Sequence, residues 1–337
     1  MKKILSIKPL GFPWETQDPF LFCVHHRDEF PRGNEQMGVD EAHLSGRRVG
    51  NDFTIKNGWR MYHGRSVPGF PYHPHRGFET ITIALEGFID HSDSLGAAGR
   101  FGAGDVQWMT AGSGVLHSEM FPLINRDKGN PTELFQIWLN LPRANKMVAP
   151  HFKMLWRENI PVVKEQDNNG NITEVSVVAG ELNGNKALNP TPDSWAADPD
   201  NAVWVMTIRM EANAQWTLPA SKANARRTIF YYKGQHLAVE GKQLTPEHLV
   251  NLKSDEEVTL QNGPEASYFL LLQGMPINEP VVQYGPFVMN SEEEIQEAFN
   301  EYRRTEFGGW PWPQQEQVHD RDQGRFALHG DGRREEK

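Results

Sequence analysis

The sequence contains a single cysteine, Cys23, among its 337 residues. One cysteine cannot form a disulfide within the chain, and it cannot supply the thiolates of a multi-cysteine metal site. No apolar run approaches the roughly 20 residues that a membrane-spanning helix requires. The basic start, residues 1–6, is not followed by a long apolar stretch, so we expect no signal peptide. These absences predict a cytoplasmic protein that does not bind membranes.

Positive charge is also scarce. The chain has 34 Lys and Arg against 44 Asp and Glu, which gives a formal net charge of −10 at pH 7. This balance disfavours a protein that grips phosphate backbones through bulk charge, so we predict no direct binding to nucleic acid. A hydrophobic share of 38% over 337 residues is typical of a globular chain with a large core, and the length suggests two domains.

Short β-rich segments dominate the chain. The 30 glycines and 23 prolines are scattered, with apolar runs between them, as in an all-β protein with many turns. The segments that predict strands include 80–85, 105–109, 135–139, 203–208 and 267–272.

Two patterns refine this all-β prediction. The β-rich segments 160–163 and 174–178 flank the turn sequence 167–171, which predicts a hairpin. Residues 80–87 and 227–234 both run through β-rich sequence into a charged residue and a glycine. This weak internal repeat supports two β-domains.

Helical signals are confined to the end of the chain. Ser291 precedes three acidic residues, 292–294, as at a helix N-terminus, and an apolar face of helical spacing ends before Gly308–Gly309. From about Gln314 onward the chain is charged and has no apolar period, so we expect little of it to join a core.

Two triplets carry the candidate chemistry, His73–His75 and His117–Glu119. On a strand, the first and third side chains of each triplet point to the same face. Two such strands side by side would present three imidazoles and one carboxylate to one point. That donor set suits a divalent transition metal and leaves positions open for substrate or dioxygen. A lone triplet of this kind is more often a surface accident, and we expect His25–His26, His63 and His91 to be surface or hydrogen-bonded residues.

Longer motifs surround these triplets, namely His73–Thr80, Asp93–Gly96, Gly104–Gly112, Gly114 and His117–Met120. Further motifs lie late in the chain, namely Gln273–Ile277, Gly285–Asn290 and the helix after them. Together they resemble the signature of the pirin family of the cupin superfamily, over most of the chain up to about Pro313.

The resemblance implies a bicupin, with two jelly-roll β-barrel domains in tandem and a C-terminal helix. The implied division is a metal-binding cupin domain in 1–141, a cupin domain without metal in 142–313 and a charged tail in 314–337. The family pattern implies one metal ion, usually iron, with four ligands: His73, His75, His117 and Glu119. The donor types alone leave manganese, nickel, copper and zinc open.

Glu79 is the alternative carboxylate, because many other cupins use a glutamate just after their paired histidines. An extended strand would place Glu79 about 13 Å from His75, at roughly 3.3 Å per residue. Only a bulge at Gly77 would bring it close. We therefore assign Glu119 to the metal. For Glu79, a partner that orients a histidine and a purely structural carboxylate stay equally open.

The second domain lacks matching ligands. Aligning Gly87 with Gly234 places Ala220 opposite His73 and Lys222 opposite His75. We therefore expect one metal ion per chain.

The resemblance implies two alternative functions. Several family members look like dioxygenases that open the flavonol quercetin, which implies a small aromatic substrate and dioxygen, with Glu119 accepting a substrate proton. Animal members resemble iron-dependent regulators, which implies redox sensing and a protein partner. A different activity on the same metal, such as an isomerase, is a weaker option, and the family suggests a monomer. Five side chains on strands of the first domain are candidates for lining an apolar pocket, although ordinary core packing is the commoner role for each of them: Trp108, Met109, Met120, Phe135 and Ile137.

Overall fold

The computed structural model of the protein describes residues 3–337, which form two compact units. The first unit combines Val24–Arg157 with Glu279–Lys337. The second unit combines the residues up to Cys23 with Glu158–Asn278. Each unit is thus built from two separate stretches of chain, which differs from the contiguous division into 1–141 and 142–313 that we expected.

Strands account for most of the regular structure, as the scattered turns predicted. Along the chain they are β1 (Ile4–Pro9), β2 (Phe20–Phe30), β3 (Gly69–His75), β4 (Phe78–Glu86), β5 (Phe88–Asp93), β6 (Ala98–Gly102), β7 (Val106–Thr110), β8 (Val115–Met120), β9 (Asn130–Asn140), β10 (His151–Leu155), β11 (Val162–Gln166), β12 (Ile172–Ala179), β13 (Glu181–Leu182), β14 (Asn185–Lys186), β15 (Trp204–Met210), β16 (Gln215–Leu218), β17 (Arg226–Lys233), β18 (Leu237–Val239), β19 (Lys242–Leu244), β20 (His248–Lys253), β21 (Val258–Asn262), β22 (Ser267–Gly274), β23 (Val282–Tyr284), β24 (Phe287–Met289), β25 (Phe326–Leu328) and β26 (Arg334–Glu336). The all-β prediction is confirmed.

Two antiparallel sheets build the first unit. One has the order β10-β7-β4-β9-β2, and the other has the order β26-β25-β6-β5-β8-β3. Ala84 and Phe152 from the former meet Ile89 and Phe101 from the latter in one buried apolar cluster. The two sheets therefore pack face to face, and polar side chains on these inner faces need partners inside the sandwich.

The second unit repeats this plan with a sheet ordered β1-β20-β17-β22-β15-β12-β11 and another ordered β16-β21-β18-β19. Its core joins Met206, Ile229 and Leu271 of the larger sheet to Trp216 and Leu260 of the smaller one. The predicted hairpin is present as β11 and β12, which pair antiparallel.

The predicted helix is α1 (Glu292–Thr305). Ser291 and Glu294 form a reciprocal capping box at its N-terminus, which satisfies two otherwise unpaired main-chain donors. Ile295 and Ala298 are buried against β24, as the helical spacing predicted. None of the helices in residues 3–337 is long and apolar enough to cross a membrane.

The charged tail is ordered, which corrects our expectation that little of residues 314–337 joins a core. β25 pairs antiparallel with β6, and Phe326 and Ala327 are buried there. The buried Arg100 guanidinium donates to main-chain carbonyls of His319, Asp320 and Gln323. The sequence signal failed because a strand of three residues has no measurable period and main-chain pairing does not depend on side-chain type.

Candidate metal centre

Three histidines of the predicted site meet in the first unit. β3 pairs with β8 so that His73 lies directly opposite His117, and His75 follows two residues later on the same face. One ligand atom from each of His73, His75 and His117 can be chosen so that all lie within 4.8 Å of one another. The Nε2 atoms of His73 and His117 are 3.0 Å apart.

Main-chain carbonyls orient two of these rings. His73 Nδ1 lies 2.9 Å from the carbonyl oxygen of Pro71, and His75 Nδ1 lies 3.4 Å from that of Pro286. A carbonyl oxygen can only accept a hydrogen bond, so each Nδ1 must donate. Each Nε2 therefore keeps its lone pair, which is the tautomer that a metal ligand needs.

Burial keeps the three imidazoles neutral. It lowers the pKa of His73 to about 4, and it lowers the pKa of His75 and of His117 well below 6.5. In each case removal from water is the largest cause, and the neighbouring imidazoles add a smaller effect in the same direction. Neutral imidazole is the form that binds metal, so the cluster needs no deprotonation at neutral pH.

Glu119 stands beside this cluster. Its Oε2 atom lies 3.6 Å from His117 Nε2. Gln136 Nε2 donates to the same Oε2 over 3.1 Å, and the Thr82 hydroxyl lies 3.2 Å from Oε1. Burial raises the pKa of Glu119 to about 7, although these contacts and His91 oppose the rise. The carboxylate is thus held in place from the facing sheet, next to the three imidazoles.

Glu79 has a different setting. The chain leaves β3 after His75, turns at Gly77 with a positive φ of 85°, and enters the opposite sheet as β4. A β-carbon at Gly77 would lie 1.9 Å from the Val288 carbonyl oxygen, so glycine is required at this turn. Glu79 is fully buried and accepts a 2.7 Å hydrogen bond from the Thr110 hydroxyl. This bond between neighbouring strands favours the structural alternative for Glu79.

The facing sheet also supplies contacts that sequence reasoning missed. Gln136 and Trp138 alternate with buried neighbours on β9 and point to the same face. Gln136 reaches Glu119, and the Trp138 ring centroid lies 5.4 Å from that of His75. The sequence signal for these contacts was a glutamine and a tryptophan two residues apart on a buried strand. Which face of the sheet the two side chains occupy depends on the strand register.

The strand register also shows that most of the candidate pocket residues do not face the cluster. Trp108 and Ile137 both lie directly opposite Ile81, which points away from the face of Thr82. Phe135 shares the face of Ile137. Trp108, Phe135 and Ile137 therefore all point away from the histidine cluster. Met120 also points away from the cluster. It directly follows Glu119, whose side chain faces inward, and successive side chains on a strand point to opposite faces. Of the five predicted side chains, Met109 alone shares the inner face, opposite Thr80 on β4.

The other histidines fall outside the three-histidine cluster. His91 is buried, and its Nε2 atom lies 3.1 Å from Asp93 Oδ2, so it is hydrogen-bonded as expected. His25 lies 2.8 Å from Glu133, and His63 is exposed.

The donor set fits a divalent transition metal. Two of the three imidazoles have the required tautomer set by their hydrogen bonds, and all three are neutral and clustered. The third, His117, has a buried Nδ1 atom with no hydrogen-bond partner in the described residues. The three histidines could therefore hold a metal ion, with Glu119 beside it.

Comparison with known proteins agrees with this geometry. The family profile described as "Pirin" matches residues 52–139, and the profile described as "Pirin C-terminal cupin domain" matches residues 205–308. A Pseudomonas aeruginosa protein named "Putative quercetin 2,3-dioxygenase PA2418" is 37% identical over 243 residues, which cover 71% of this chain and 79% of that protein. Pirin of Mus musculus is 36% identical over 256 residues, which cover 73% of this chain and 80% of that one.

A solved structure shows the same fold. The crystal structure of quercetin 2,3-dioxygenase from Acinetobacter baumannii matches with a TM-score of 0.70 at 29% identity, covering 92% of this chain and 99% of that chain. The predicted pair of cupin domains is thereby confirmed. With both family profiles matched and relatives above 35% identity across most of their length, the chain belongs to the pirin family.

Proposed function

We propose that this protein is an iron-dependent dioxygenase that opens the ring of a flavonol such as quercetin. We further propose that one iron ion is held by four side chains, His73, His75, His117 and Glu119. The observation that carries the proposal is the cluster of three neutral imidazoles beside a carboxylate, in which His73 is half-buried and His75 and His117 are buried. The names of the relatives, one of them a quercetin 2,3-dioxygenase by its printed name, support the substrate class.

The residues around the cluster have distinct roles in this proposal. When bound, the metal would supply a Lewis-acidic, redox-active centre for a substrate hydroxyl and for dioxygen. Glu119 accepts the proton of the substrate hydroxyl, because its carboxylate faces the same point as the imidazoles. Gln136 holds the carboxylate through a 3.1 Å hydrogen bond and so fixes the direction from which the proton is taken. The Trp138 ring, next to His75, offers a flat apolar surface for an aromatic substrate.

Oxygen uptake tests the proposal directly. Purified protein is loaded with Fe²⁺ without oxygen, its metal content is measured, and oxygen consumption is followed after quercetin is added. We expect uptake in the wild type and in His236→Gln, which changes an exposed histidine of the second unit. We expect none in His117→Gln.

Two results would refute the proposal. One is absence of uptake by fully loaded protein across a panel of flavonols, which would favour the alternative of a redox-sensing regulator with a protein partner. The other is equal uptake by His117→Gln, which would place the reaction away from this cluster.

A further inference from the structure

Lys146 is a buried cation that the proposed reaction does not use. It follows a short 3₁₀ helix (Arg143–Asn145) of the first unit, and only 1% of its surface is exposed. Within residues 3–337 no carboxylate forms an ion pair with its Nζ atom. Burying a charge without a countercharge is costly, so the presence of a lysine here needs an explanation.

The ammonium group is satisfied by three uncharged oxygen atoms. Nζ donates to the Gly77 carbonyl oxygen over 2.8 Å, to Asn140 Oδ1 over 2.8 Å and to the Val288 carbonyl oxygen over 3.2 Å. An ammonium has three N–H groups, so each of them has an acceptor. Hydrogen bonds from a charged donor are stronger than those between neutral groups. Lys146 therefore ties together the turn between β3 and β4, the end of β9, and β24.

Two of these segments lead directly to the metal-site residue His75. Gly77 follows His75 by two residues, at the turn after β3. Val288 lies on β24, two residues after Pro286, whose carbonyl oxygen is 3.4 Å from His75 Nδ1. The main-chain nitrogen of Val288 also donates to the Arg76 carbonyl oxygen over 3.0 Å. The position of β24 against this turn therefore sets the position of the carbonyl that orients the His75 ring.

The third acceptor lies beside a ring that packs on His75. Asn140 ends β9 and lies directly opposite Phe78 on β4. The Phe78 ring centroid is 5.0 Å from that of His75, with an interplanar angle of 69°. Through Asn140, Lys146 thus also fixes the end of the strand that faces this aromatic contact.

Two carbonyl oxygens would lose their shared donor if the ammonium were removed. Buried carbonyls of Gly77 and Val288 that converge without a donor between them are unfavourable. The packing is close, because a β-carbon at Gly77 would lie 1.9 Å from the Val288 carbonyl oxygen. A small separation of β24 from the turn would relieve the carbonyls. The contact between Pro286 and His75, at 3.4 Å, is near the upper limit for a hydrogen bond, so the same separation would break it.

We propose that Lys146 is a positioning residue of the metal centre, which holds β24 against the Gly77 turn so that the Pro286 carbonyl keeps a proton on His75 Nδ1. His75 Nε2 then keeps the lone pair that a metal ligand needs. The proposal rests on the role of His75 as a metal ligand in the proposed function.

Metal affinity is the first test. Lys146→Met keeps an unbranched side chain and removes the charge and the three donors. In competition titrations of the full-length protein with a chelator, we expect its affinity for Fe²⁺ to fall by about 10- to 100-fold relative to the wild type. The matched control is Lys128→Met, which makes the same change at an exposed lysine of the first unit and should bind Fe²⁺ like the wild type.

The His75 tautomer is the second test, and it needs no metal. In metal-free protein with isotope-labelled histidine, the NMR shifts of the ring nitrogens show which nitrogen carries the proton. We expect Nδ1 of His75 to be protonated in the wild type and in Lys128→Met, and a mixture of the two tautomers in Lys146→Met. A purely structural Lys146 would lower Tm in Lys146→Met but leave the tautomer and the metal affinity unchanged, which would overturn the proposal. A changed tautomer with unchanged affinity would overturn it as well.

A pH titration of the wild type decides the matter if Lys146→Met does not fold. Burial lowers the pKa of Lys146 to about 8, although Glu279 and Glu294 oppose this fall and Arg143 adds to it. Above that pH the neutral amine has two N–H groups for three acceptors. We therefore expect the fraction of His75 that is protonated at Nδ1 to fall between about pH 7 and about pH 9. A constant fraction over this range would refute the role of Lys146.

These outcomes are distinct from those of the dioxygenase proposal, because none of the measurements needs quercetin or oxygen. Absence of oxygen uptake, together with the expected results for Lys146→Met, would refute the dioxygenase activity and support the role of Lys146. Oxygen uptake by the wild type, together with an unchanged tautomer in Lys146→Met, would refute the role of Lys146 alone.

Discussion

Glu119→Gln is the sharpest test of the metal centre. The substitution keeps the shape of the side chain but removes one negative charge beside the imidazoles. A carboxylate about 4 Å from a dication attracts it by about 8 kcal/mol when the effective dielectric constant is about 20. The burial of the ion offsets several kcal/mol of this attraction. A net loss of about 5 kcal/mol remains, so we expect metal affinity to fall by about 10³- to 10⁴-fold.

Glu79→Gln is the matched control, because it makes the same chemical change in the other buried glutamate. Glu79 accepts a hydrogen bond from Thr110 on the neighbouring strand, so we expect metal affinity to change by no more than the roughly 10- to 100-fold typical of residues that hold metal ligands in place. Competition titrations with a chelator of known affinity measure both variants. If Glu79→Gln loses the metal while Glu119→Gln retains it, the assignment of Glu119 is wrong and the site follows the commoner cupin pattern.

Three further predictions follow from the same structure. Elemental analysis should find one tightly bound metal per chain, and two would show that the second unit also holds a metal. Deletion of residues 314–337 removes the buried Phe326 side chain and the carbonyl partners of Arg100. It should therefore lower the free energy of unfolding by at least about 3 kcal/mol and Tm by roughly 6–12 °C. An unchanged Tm would show that the tail does not stabilise the first unit. Burial lowers the pKa of His26 in the folded protein well below 6.5. As the pH falls below about 6.5, this histidine therefore takes up a proton in the unfolded chain but not in the folded one. The free energy of unfolding then falls by up to about 1.4 kcal/mol per pH unit. His26→Phe should reduce that slope in urea denaturation at pH 6.5 and 5.5, and an identical slope would contradict the argument.

Much of the first unit's chemistry could be predicted from spacing. The triplets His73–His75 and His117–Glu119 needed only the two-residue repeat of a strand, and the structure places them on adjacent strands. The helix was predictable because its cap, its apolar face and its stop all agree along one stretch of sequence.

The walls of the site were not predictable in the same way. Which of Phe135 and Gln136 faces the cluster depends on how β9 is paired with β4, and both residues are compatible with a buried strand. Glu79 was ambiguous because the chain changes sheets at Gly77, and distance along an extended strand says nothing across such a turn. The pairing of β25 with β6 joins residues more than 200 positions apart through main-chain atoms. Because main-chain hydrogen bonds do not depend on side-chain type, the sequence pattern does not predict this pairing.

The interleaving of the two units along the chain has a consequence for protein synthesis. The sheet that carries His73 and His117 is completed by β25 and β26, which follow β3 and β8 by about 200 residues in the chain. Until residues 319–328 have left the ribosome, the outer edge of β6 is exposed and Arg100 lacks its main-chain carbonyl partners. The first unit can therefore close only after β25 and β26 have left the ribosome, and a nascent chain stalled before residue 314 would present an open, aggregation-prone strand edge to chaperones.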